Sequence, residues 1–258
     1  MNNYILDQQR EAKLIADVID SVKKESEVIT DHLAEIINSD SNEKYVFVKL
    51  DKDMEVSTVN EMGVIPVTSL GLVNNEVKLK KYTAISVVSM ESMKFESVNL
   101  DSELKKGFSR ALAKAISSDY LTLVQDGATE VPKTDNMAID LSDAMSILET
   151  SDRNATNVIL PKSDKGVIRK GMETNADTQI NLKDAFGVPV TFMNTENAVV
   201  VDNKTIKVIL GDVKIDVVDT GVVEDNGVTT NLFQQGAVAY KVTMFGAVCK
   251  FDKQAVIK

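Results

Sequence analysis

LKDAFGVPV, residues 182–190, opens the part of the chain that decides the fold. After this short apolar turn, which carries Gly187 and Pro189, the sequence predicts a strand that closes on Gly211-Asp212. Two long strand-like runs follow and end on residues 255–257. This region of the sequence contains no cluster of reactive side chains. The sequence therefore predicts a β-rich scaffold with a structural rather than a catalytic role.

The run 237–251 is the longest predicted strand. Val238, Tyr240, Val242 and Met244 alternate with residues of mixed polarity, so only one side of the strand is wholly apolar. We expect that side to pack on a long helix.

Residues 99–124 are the clearest helix in the sequence. A stripe of apolar residues recurs at steps of four and three: Leu100, Leu104, Phe108, Leu112, Ile116, Tyr120 and Leu123. Asn99 can cap the first turn, and Asp126-Gly127 ends the helix. At about 1.5 Å per residue the helix would be close to 40 Å long. The sequence therefore predicts a long, straight helix on which a long sheet packs.

Residues 3–37 are also predicted to be helical. Apolar residues recur seven apart, at Ile15, Val22, Ile29 and Ile36. Glu25 and Ser26 interrupt the stripe. The pattern fits equally well a helix lying on its own subunit and one that docks on a neighbour. His32, the single histidine, is predicted to be solvated, since it cannot build a multi-histidine metal site.

Between Tyr45 and Leu79 the sequence becomes strand-like, with β-branched and aromatic runs. Gly63, Gly71 and Asn74-Asn75 are predicted to be turns. Too few apolar residues alternate to form a compact core. We therefore expect a long hairpin that gains its burial on a neighbouring copy.

Shorter elements fill the rest of the chain. A helix is predicted at 141–148, opened by Asp140 or Ser142, and another at 163–172. Strands are predicted at 82–90, 157–160, 189–193, 198–201, 206–210 and 215–218, with a turn at 225–227.

The charge of the chain excludes one large class of function. Thirty-nine acidic residues face 29 basic ones, a net charge of −10, and the lysines are scattered singly. A sequence-specific nucleic-acid binder needs a basic patch. An acidic surface instead suits a protein that lies close to nucleic acid without sticking to it.

The single cysteine, Cys249, excludes an internal disulfide. We expect it to act as a small hydrophobe in an apolar strand, with a reactive thiol as the alternative. Neither a signal peptide nor a membrane span is expected, because no run approaches about 18 apolar residues.

The order of these elements resembles the major capsid proteins of tailed bacteriophages, which have the Hong Kong 97-type fold. The resemblance covers roughly residues 45–258. Three stretches carry it: Val77 to Gly127, similar to a strand leading into the family's spine helix; residues 182–212, similar to its Leu-x-Gly-x-Pro-Val turn and the strand after it; and Phe233 to Ile257, similar to its long return strand and last short strand.

The resemblance implies an α+β chain with a long spine helix packed on a long antiparallel sheet, an axial α/β domain and an extended β-hairpin loop. Its implied parts are an amino-terminal helix or arm (1–37), an extended loop that lies across the adjacent subunit (38–80), a peripheral domain (81–133 and 213–250, with spine helix 99–124) and an axial domain (134–212 and 251–258).

The resemblance also implies a function. The chain would be a major capsid protein that self-assembles, as hexamers and pentamers, into the icosahedral head shell of a tailed bacteriophage enclosing double-stranded DNA. Scaffolding and portal proteins would be partners, DNA would be held by non-specific proximity, and no membrane would be involved. The protein would be made in the bacterial host cytoplasm and end in the virion capsid.

No catalytic, cofactor-binding or metal site is assigned, and no enzymatic activity is expected. Some relatives join subunits through a Lys–Asn isopeptide bond. Lys49, Lys52, Lys78 and Asn226 are of the right residue types, but such residues are too common to assign a site.

Two alternatives remain. An encapsulin-type nanocompartment shell shares the fold and holds a cargo enzyme. A metal-binding module or carboxylate enzyme would use Asp51, Asp53 and Glu55, which alternate on one predicted strand and so share a face. A solvated acidic edge that discourages stray strand pairing is the preferred interpretation of these three residues.

Overall fold

The computed structural model describes residues 18, 20–39, 43–50, 58, 71–95, 100–174, 180–225 and 227–258. The helices are α1 (20–25), α2 (Glu27–Thr30), α3 (Met90–Phe95), α4 (Leu100–Gln125), α5 (Met137–Glu149) and α6 (Lys165–Thr174), with 3-10 turns at Lys162–Asp164 and Asn203–Thr205.

The strands are β1 (Glu35–Asn38), β2 (Lys44–Leu50), β3 (Leu72–Lys78), β4 (Lys80–Ser89), β5 (Thr129–Val131), β6 (Asn157–Pro161), β7 (Asp184–Ala185), β8 (Val188–Met193), β9 (Ala198–Val201), β10 (Ile206–Val218), β11 (Val222–Asp225), β12 (Val228–Asn231), β13 (Ala237–Lys250) and β14 (Ala255–Ile257).

These strands form two sheets and two hairpins. One sheet has four strands in the order β1-β10-β13-β4, and the other has six in the order β5-β14-β9-β6-β8-β7. The hairpins are β2–β3 and β11–β12. Helix α4 packs on the four-stranded sheet and α5 on the six-stranded sheet. The α+β prediction is therefore confirmed.

The long helix and the long strand meet as the sequence predicts. Phe108, Leu112 and Ile116 of α4 are buried in one hydrophobic core with Val238 and Val242 of β13. With 26 residues α4 is about 39 Å long. The helix ends before Gly127, whose φ of 58° is the left-handed conformation that glycine adopts without penalty. The contact between α4 and β13 fixes how the four-stranded sheet lies on the long helix.

The stretch 182–190 forms the predicted turn. Phe186 and Gly187 have φ of 54° and 81°, and they join β7 to β8 through the pair Ala185–Val188. Two central residues with positive φ match the right-handed twist of the flanking strands. The turn lies at the edge of the six-stranded sheet, whose strand β6 is buried throughout.

The predicted cap of α5 is wrong. Asn136 caps the helix, because its side chain accepts a hydrogen bond from the Ala138 N–H at 3.0 Å. Asp140 lies buried in the first turn and accepts hydrogen bonds from the backbone N–H and the hydroxyl of Thr134, the latter at 2.6 Å. The carboxylate therefore ties the helix to the chain that follows β5.

The predicted break at Gly211-Asp212 is also wrong. Residues 206–218 form the single strand β10, which pairs with β13 on both sides of an irregularity between Leu210 and Val213. The strand thus crosses residues 212/213, where the sequence resemblance places the boundary between the axial and peripheral domains. The resemblance also places β5 in the peripheral domain with α4, but β5 pairs with β14 in the six-stranded sheet. The division into domains stays a prediction.

Strands β10 and β13 approach each other closely where both carry glycine. A Cβ added at Gly246 would lie 2.8 Å from the carbonyl oxygen of Ile209, and one at Gly211 would lie 2.8 Å from that of Phe245. No real side chain tolerates such a contact with backbone, so these glycines permit the pairing to continue through the irregularity.

Gly246→Ala is expected to lower the free energy of unfolding by about 2 kcal/mol, because β10 must move away from the new methyl group. Gly107→Ala is the matched control. Gly107 lies inside α4 with nothing within 4 Å of an added Cβ, so that change is expected to stabilise by about 0.5–1 kcal/mol. Urea unfolding measures both. Equal effects of the two changes would contradict the close approach.

The amino-terminal prediction is corrected. Helix α1 breaks at Ser26, α2 ends at Thr30, and residues 35–38 form β1, which pairs in parallel with β10. The chain reverses at His32, which has a φ of 52° and is exposed as predicted. A helix over 3–37 is therefore wrong beyond Thr30, and residues 1–17 lie outside the described residues.

Of the two alternatives for this segment, the described residues favour packing on their own subunit. Val18, Val22, Val28 and Leu33 are buried in the core that contains α4. Tyr120 donates a hydrogen bond to the Leu33 carbonyl at 3.0 Å. Segment 20–39 is thus a layer of the subunit's own core.

In the described part of the chain, no helix is long and apolar enough to cross a membrane.

Ser26 is fully buried, and its Oγ has no hydrogen-bond partner among the described residues. An unsatisfied buried hydroxyl destabilises the fold. Ser26→Ala is therefore expected to raise the free energy of unfolding by about 1 kcal/mol. Ser142→Ala, at an exposed position of α5, is expected to change it by less than about 0.5 kcal/mol. A loss of stability in Ser26→Ala, measured by thermal unfolding, would show that the hydroxyl is satisfied.

Candidate assembly surfaces

Reactive groups do not cluster in the described residues. No group of three or more His, Cys, Asp or Glu side chains there is placed to hold a metal ion. Asp51, Asp53 and Glu55 lie outside the described residues, so the metal-module alternative rests on sequence alone. Lys52 and Asn226 also lie outside them, and Lys78 is exposed on β3.

Cys249 is half-buried in β13, and its Sγ lies 3.6 Å from the Lys207 carbonyl oxygen. Burial raises the pKa of this thiol to about 11, outweighing the opposing effects of the Lys207 backbone and charge. The group stays a thiol at neutral pH, and a thiolate is the reactive form. Cys249 is thus a packing residue rather than a nucleophile.

The predicted hairpin is present, formed by β2 and β3. Its register pairs Lys44 with Lys78 at the root and Leu50 with Leu72 at the far end of the described part. Asn74 and Asn75, predicted to be a turn, lie inside β3 opposite Val48 and Phe47. The expected strand at residues 64–67 lies outside the described residues.

One face of the hairpin packs on the subunit itself. The Phe47 ring lies 5.0 Å from the Phe251 ring in an edge-on arrangement and 4.9 Å from the Tyr45 ring. Such aromatic pairs contribute about 0.5–1.5 kcal/mol beyond burial. The hairpin root is therefore fixed to the end of β13.

The opposite face is exposed and carries apolar side chains among polar and charged ones. Because paired residues share a face and side chains alternate along a strand, Lys44, Val46, Val48, Leu72 and Lys78 lie on one side, with Asn74 and Glu76 between them. We call the first five residues the hairpin face. Val48 is 61% and Leu72 is 70% exposed. An apolar strand face left in water is a typical site for contact with another molecule.

A carboxylate joins the strand after the hairpin to the long helix. Asp119 of α4 accepts a hydrogen bond from Lys80 Nζ at 2.8 Å and one from the Tyr82 hydroxyl at 2.7 Å, both on Oδ2. Burial alone would raise the pKa of Asp119, but the hydrogen bonds from Lys80 and Tyr82 and the Lys80 charge lower it overall. Burial, with the Asp119 hydrogen bond and charge, raises the pKa of Tyr82.

Asp119→Asn is expected to lower the free energy of unfolding at pH 7 by about 1 kcal/mol, because the charge-assisted hydrogen bonds weaken. Since the folded pKa of Asp119 lies below the unfolded value, its contribution is complete above about pH 4 and is lost as the pH falls through the folded pKa. The difference between wild type and variant should therefore vanish at low pH.

Chemical denaturation between pH 2 and 7 tests this expectation. Asp143→Asn is the matched control, because Asp143 is exposed on α5 and makes no ion pair among the described residues. A difference for Asp119→Asn that stays constant across this range would contradict the role of the ionised carboxylate.

A second exposed apolar surface, which sequence reasoning missed, lies at the other hairpin, β11–β12. We call Val218, Asp219, Val222, Glu224 and Phe233 the acidic end. Phe233 is 77% and Val222 is 62% exposed. Val222 and Glu224 lie two apart in β11 and so share a face.

The other side of this second hairpin packs on its own subunit. Val223 contacts the small cluster of Leu232, Ala237 and Ala239. An open groove of about 590 Å³ lies beside it, lined among others by Ile85, Val218, Val222 and Leu232. The signal available in the sequence is that residues 215–240 contain four carboxylates and no Lys or Arg.

No protein-family profile matches this chain, and no curated protein sequence is significantly similar to it. Solved structures are similar. The Mycobacterium phage Adephagia structure has a TM-score of 0.66 at 12% identity, over 90% of this chain and 89% of that one. The Gordonia phage Cozz structure has a TM-score of 0.65 at 16% identity, over 90% and 86%.

Two further similar structures are named as a capsid and a virus-like particle. The capsid structure of cyanophage P-SCSP1u has a TM-score of 0.56 at 10% identity, over 89% of this chain and 87% of that one. A virus-like particle from Pyrococcus furiosus has a TM-score of 0.58 at 12% identity, over 96% and 98%.

At these identities the likeness is one of fold, and it spans nearly the whole of each chain. The chain has the fold of phage capsid structures, with a long helix on a long sheet. The resemblance to the Hong Kong 97-type fold drawn from the sequence is confirmed at this level.

Proposed function

We propose that this chain is the major capsid protein of a tailed bacteriophage, which self-assembles into an icosahedral head shell and encloses double-stranded DNA. The observation that carries the proposal is the match of nearly the whole chain to nearly the whole of phage and capsid structures. Fold alone does not assign function. The surfaces of the subunit supply the second support.

In the described part of the chain, the hairpin face and the acidic end both expose apolar side chains. Interfaces of permanent assemblies commonly bury more than about 2,000 Å² and are rich in apolar contacts. Burial of both surfaces in each of many copies would stabilise a lattice, and closed symmetry limits its size. Hexamers and pentamers of the chain are the expected building units.

The β2–β3 hairpin, within residues 38–80, is proposed to lie across the adjacent subunit. Its root packs on its own body through Phe47 and Phe251, while Val48 and Leu72 on the other side remain exposed. A hairpin anchored at one end and apolar on its free side suits a contact made outside its own subunit.

The remaining parts of the proposal follow from this role. Packaged DNA would meet a chain of net charge −10, which favours proximity without tight binding. Scaffolding and portal proteins would be partners, the virion capsid the final location and the bacterial host cytoplasm the place of synthesis. The role is structural rather than enzymatic.

Electron microscopy of the purified, expressed chain tests the proposal, alone and with its scaffolding partner if genes for one lie nearby. We expect closed shells of uniform diameter. A chain that stays monomeric under all assembly conditions would overturn the proposal.

A shell that encloses a cargo enzyme is the second candidate, favoured by the match to a virus-like particle over 96% of this chain. The contents of particles isolated from the native source separate the two. Nuclease-protected double-stranded DNA supports the phage head, and a co-purified peroxidase or ferritin-like protein supports the compartment. Portal and terminase genes beside the coding gene would favour the first.

A further inference from the structure

We propose that the solvent-facing side of α4, with the groove beside it, contacts the phosphates of double-stranded DNA. This inference rests on the proposed function and deepens it, because it assigns the side of the subunit that faces the enclosed DNA. The DNA is recognised by its charged backbone and not by its base sequence. The contact is weak and depends on the salt concentration.

The basic residues of α4 gather on one side of the helix. Residues 104–118 contain four basic residues and no acidic one. Three of the four, Lys106, Arg110 and Lys114, are spaced four apart and therefore lie along one stripe. All three are exposed, and we call them the basic stripe. The expectation that the lysines are scattered singly is thus wrong for this helix.

A polar groove of about 690 Å³ lies beside the basic stripe, between α4 and the turn that joins β8 to β9. Gln125 Nε2 donates a hydrogen bond to Thr195 Oγ1 across it at 2.8 Å. Three further side chains of its lining make no hydrogen bond among the described residues: Ser117, Ser118 and Asn194. Hydroxyl and amide donors beside cations are the groups that proteins use to bind phosphate oxygens.

The carboxylates nearest to the basic stripe are weak partners. Lys106 Nζ lies 2.9 Å from Glu103 Oε1, and Arg110 Nε lies 4.0 Å from Glu25 Oε2. All four side chains are at least 44% exposed. Exposed ion pairs contribute little to stability, so both cations can exchange their carboxylate for a phosphate.

The charges that line the groove sum to a positive value. They are the cations Arg110, Lys114 and Lys162 and the carboxylates Glu25 and Glu196. Lys114 makes no ion pair among the described residues. In a chain of net charge −10, this is a local excess of positive charge. A polyanion is attracted to such a region even when the whole protein is acidic.

The dimensions of the basic stripe suit one strand of DNA. From Lys106 to Lys114 the helix extends about 12 Å. Each strand of a DNA duplex carries one phosphate per about 3.4 Å of the duplex axis. The stripe can therefore face about three or four phosphates of one strand.

The charge distribution also orients the subunit. The acidic end has no Lys or Arg between residues 215 and 240, so DNA repels it. The same DNA attracts the basic stripe. The side of α4 that carries the stripe therefore faces the interior of the shell.

Fluorescence anisotropy tests the inference on the full-length subunit, below its assembly concentration. The probe is a labelled DNA duplex of about 30 base pairs. We expect a dissociation constant in the micromolar range at 50 mM salt that rises about 40-fold at 200 mM, as for three released counterions. Two duplexes of unrelated sequence should bind equally.

The triple variant Lys106→Gln, Arg110→Gln and Lys114→Gln is expected to bind at least about tenfold more weakly and to lose most of the salt dependence. Thermal unfolding checks that it folds. The matched control makes the same change in net charge at three exposed lysines outside the groove and should bind within about threefold of wild type: Lys133→Gln, Lys183→Gln and Lys253→Gln.

Photo-crosslinking gives a second readout. In a Cys249→Ser background, a photoreactive group attached to Ser118→Cys is expected to crosslink the duplex at least about fivefold more than the same group at Ser142→Cys. Ser118 lines the groove, and Ser142 is exposed on α5.

A wild-type chain that binds no duplex, equal losses in the two triple variants, or equal crosslinking from the two cysteines would overturn this inference. None of these results would affect the shell proposal. A chain that binds DNA through the basic stripe but never assembles would overturn the shell proposal alone.

Discussion

Val48→Asp combined with Leu72→Asp is expected to abolish particle formation while leaving the folded subunit intact. Both side chains are mostly exposed in the isolated chain, so the changes cost the fold less than about 1 kcal/mol. In an assembled lattice the new carboxylates would be buried without partners, which is strongly unfavourable. We expect the half-assembly concentration to rise at least about 100-fold.

Size-exclusion chromatography and electron microscopy measure the assembly, and thermal unfolding checks the fold. Val167→Asp combined with Ile139→Asp is the control, because both positions are exposed apolar sites outside the two proposed surfaces. Particles formed by the hairpin double variant at wild-type concentrations would show that the hairpin face stays in water.

Tyr120→Ala is expected to lower the free energy of unfolding by about 3–5 kcal/mol, the largest stability effect among the changes considered. Tyr120 is fully buried in α4, among residues of the four-stranded sheet and of segment 20–39. Its hydroxyl donates to the Leu33 carbonyl at 3.0 Å, at the turn where that segment reverses. Loss of the ring therefore leaves a cavity and frees the turn.

Tyr120→Phe separates these two contributions. It keeps the ring and leaves the Leu33 carbonyl without this donor, so a loss of about 1–2 kcal/mol is expected. Ser118→Ala, exposed on the same helix, should change stability by less than about 0.5 kcal/mol. Urea unfolding decides. A Tyr120→Ala variant as stable as wild type would contradict the inclusion of segment 20–39 in the core.

The long helix was predictable because its burial is one-sided and periodic. The stripe of α4 assigns Phe108 and Ile116 to the buried face, and both are buried. The alternation in β13 places Val238 and Val242 on the buried side, but Ala239 and Thr243 on the other side are buried too. The turn at 186–187 was predictable from its glycine. Its unusual feature, positive φ at Phe186, was not, since only the twist of the paired strands requires it.

The amino-terminal segment was mispredicted because its local pattern is ambiguous. Ile29 and Ile36 are seven apart, as in a helix, yet Ile36 lies in β1 and pairs in parallel with Val208 of β10. That partner lies far away in sequence, and tertiary contacts override local propensity. The predicted turn at Asn74-Asn75 was wrong for the same reason. Asparagine favours turns, but both residues pair with β2 and are therefore extended.

One of the two proposed assembly surfaces could be predicted from the sequence. The hairpin was expected because its apolar residues lacked an internal core. The acidic end was not, because Val222 and Val223 are identical in sequence terms and only the packing of Val223 on Leu232 shows that Val222 points outward. The absence of basic residues from 215 to 240 was visible, but its meaning depends on the exposed Phe233 beside it.

Electron cryo-microscopy of the purified full-length chain at assembly concentrations tests the central claim most directly. The account predicts a closed shell in which Val48 and Leu72 of each copy are buried against a neighbouring copy. Isolated subunits at every concentration, or a shell with these side chains facing solvent, would contradict it.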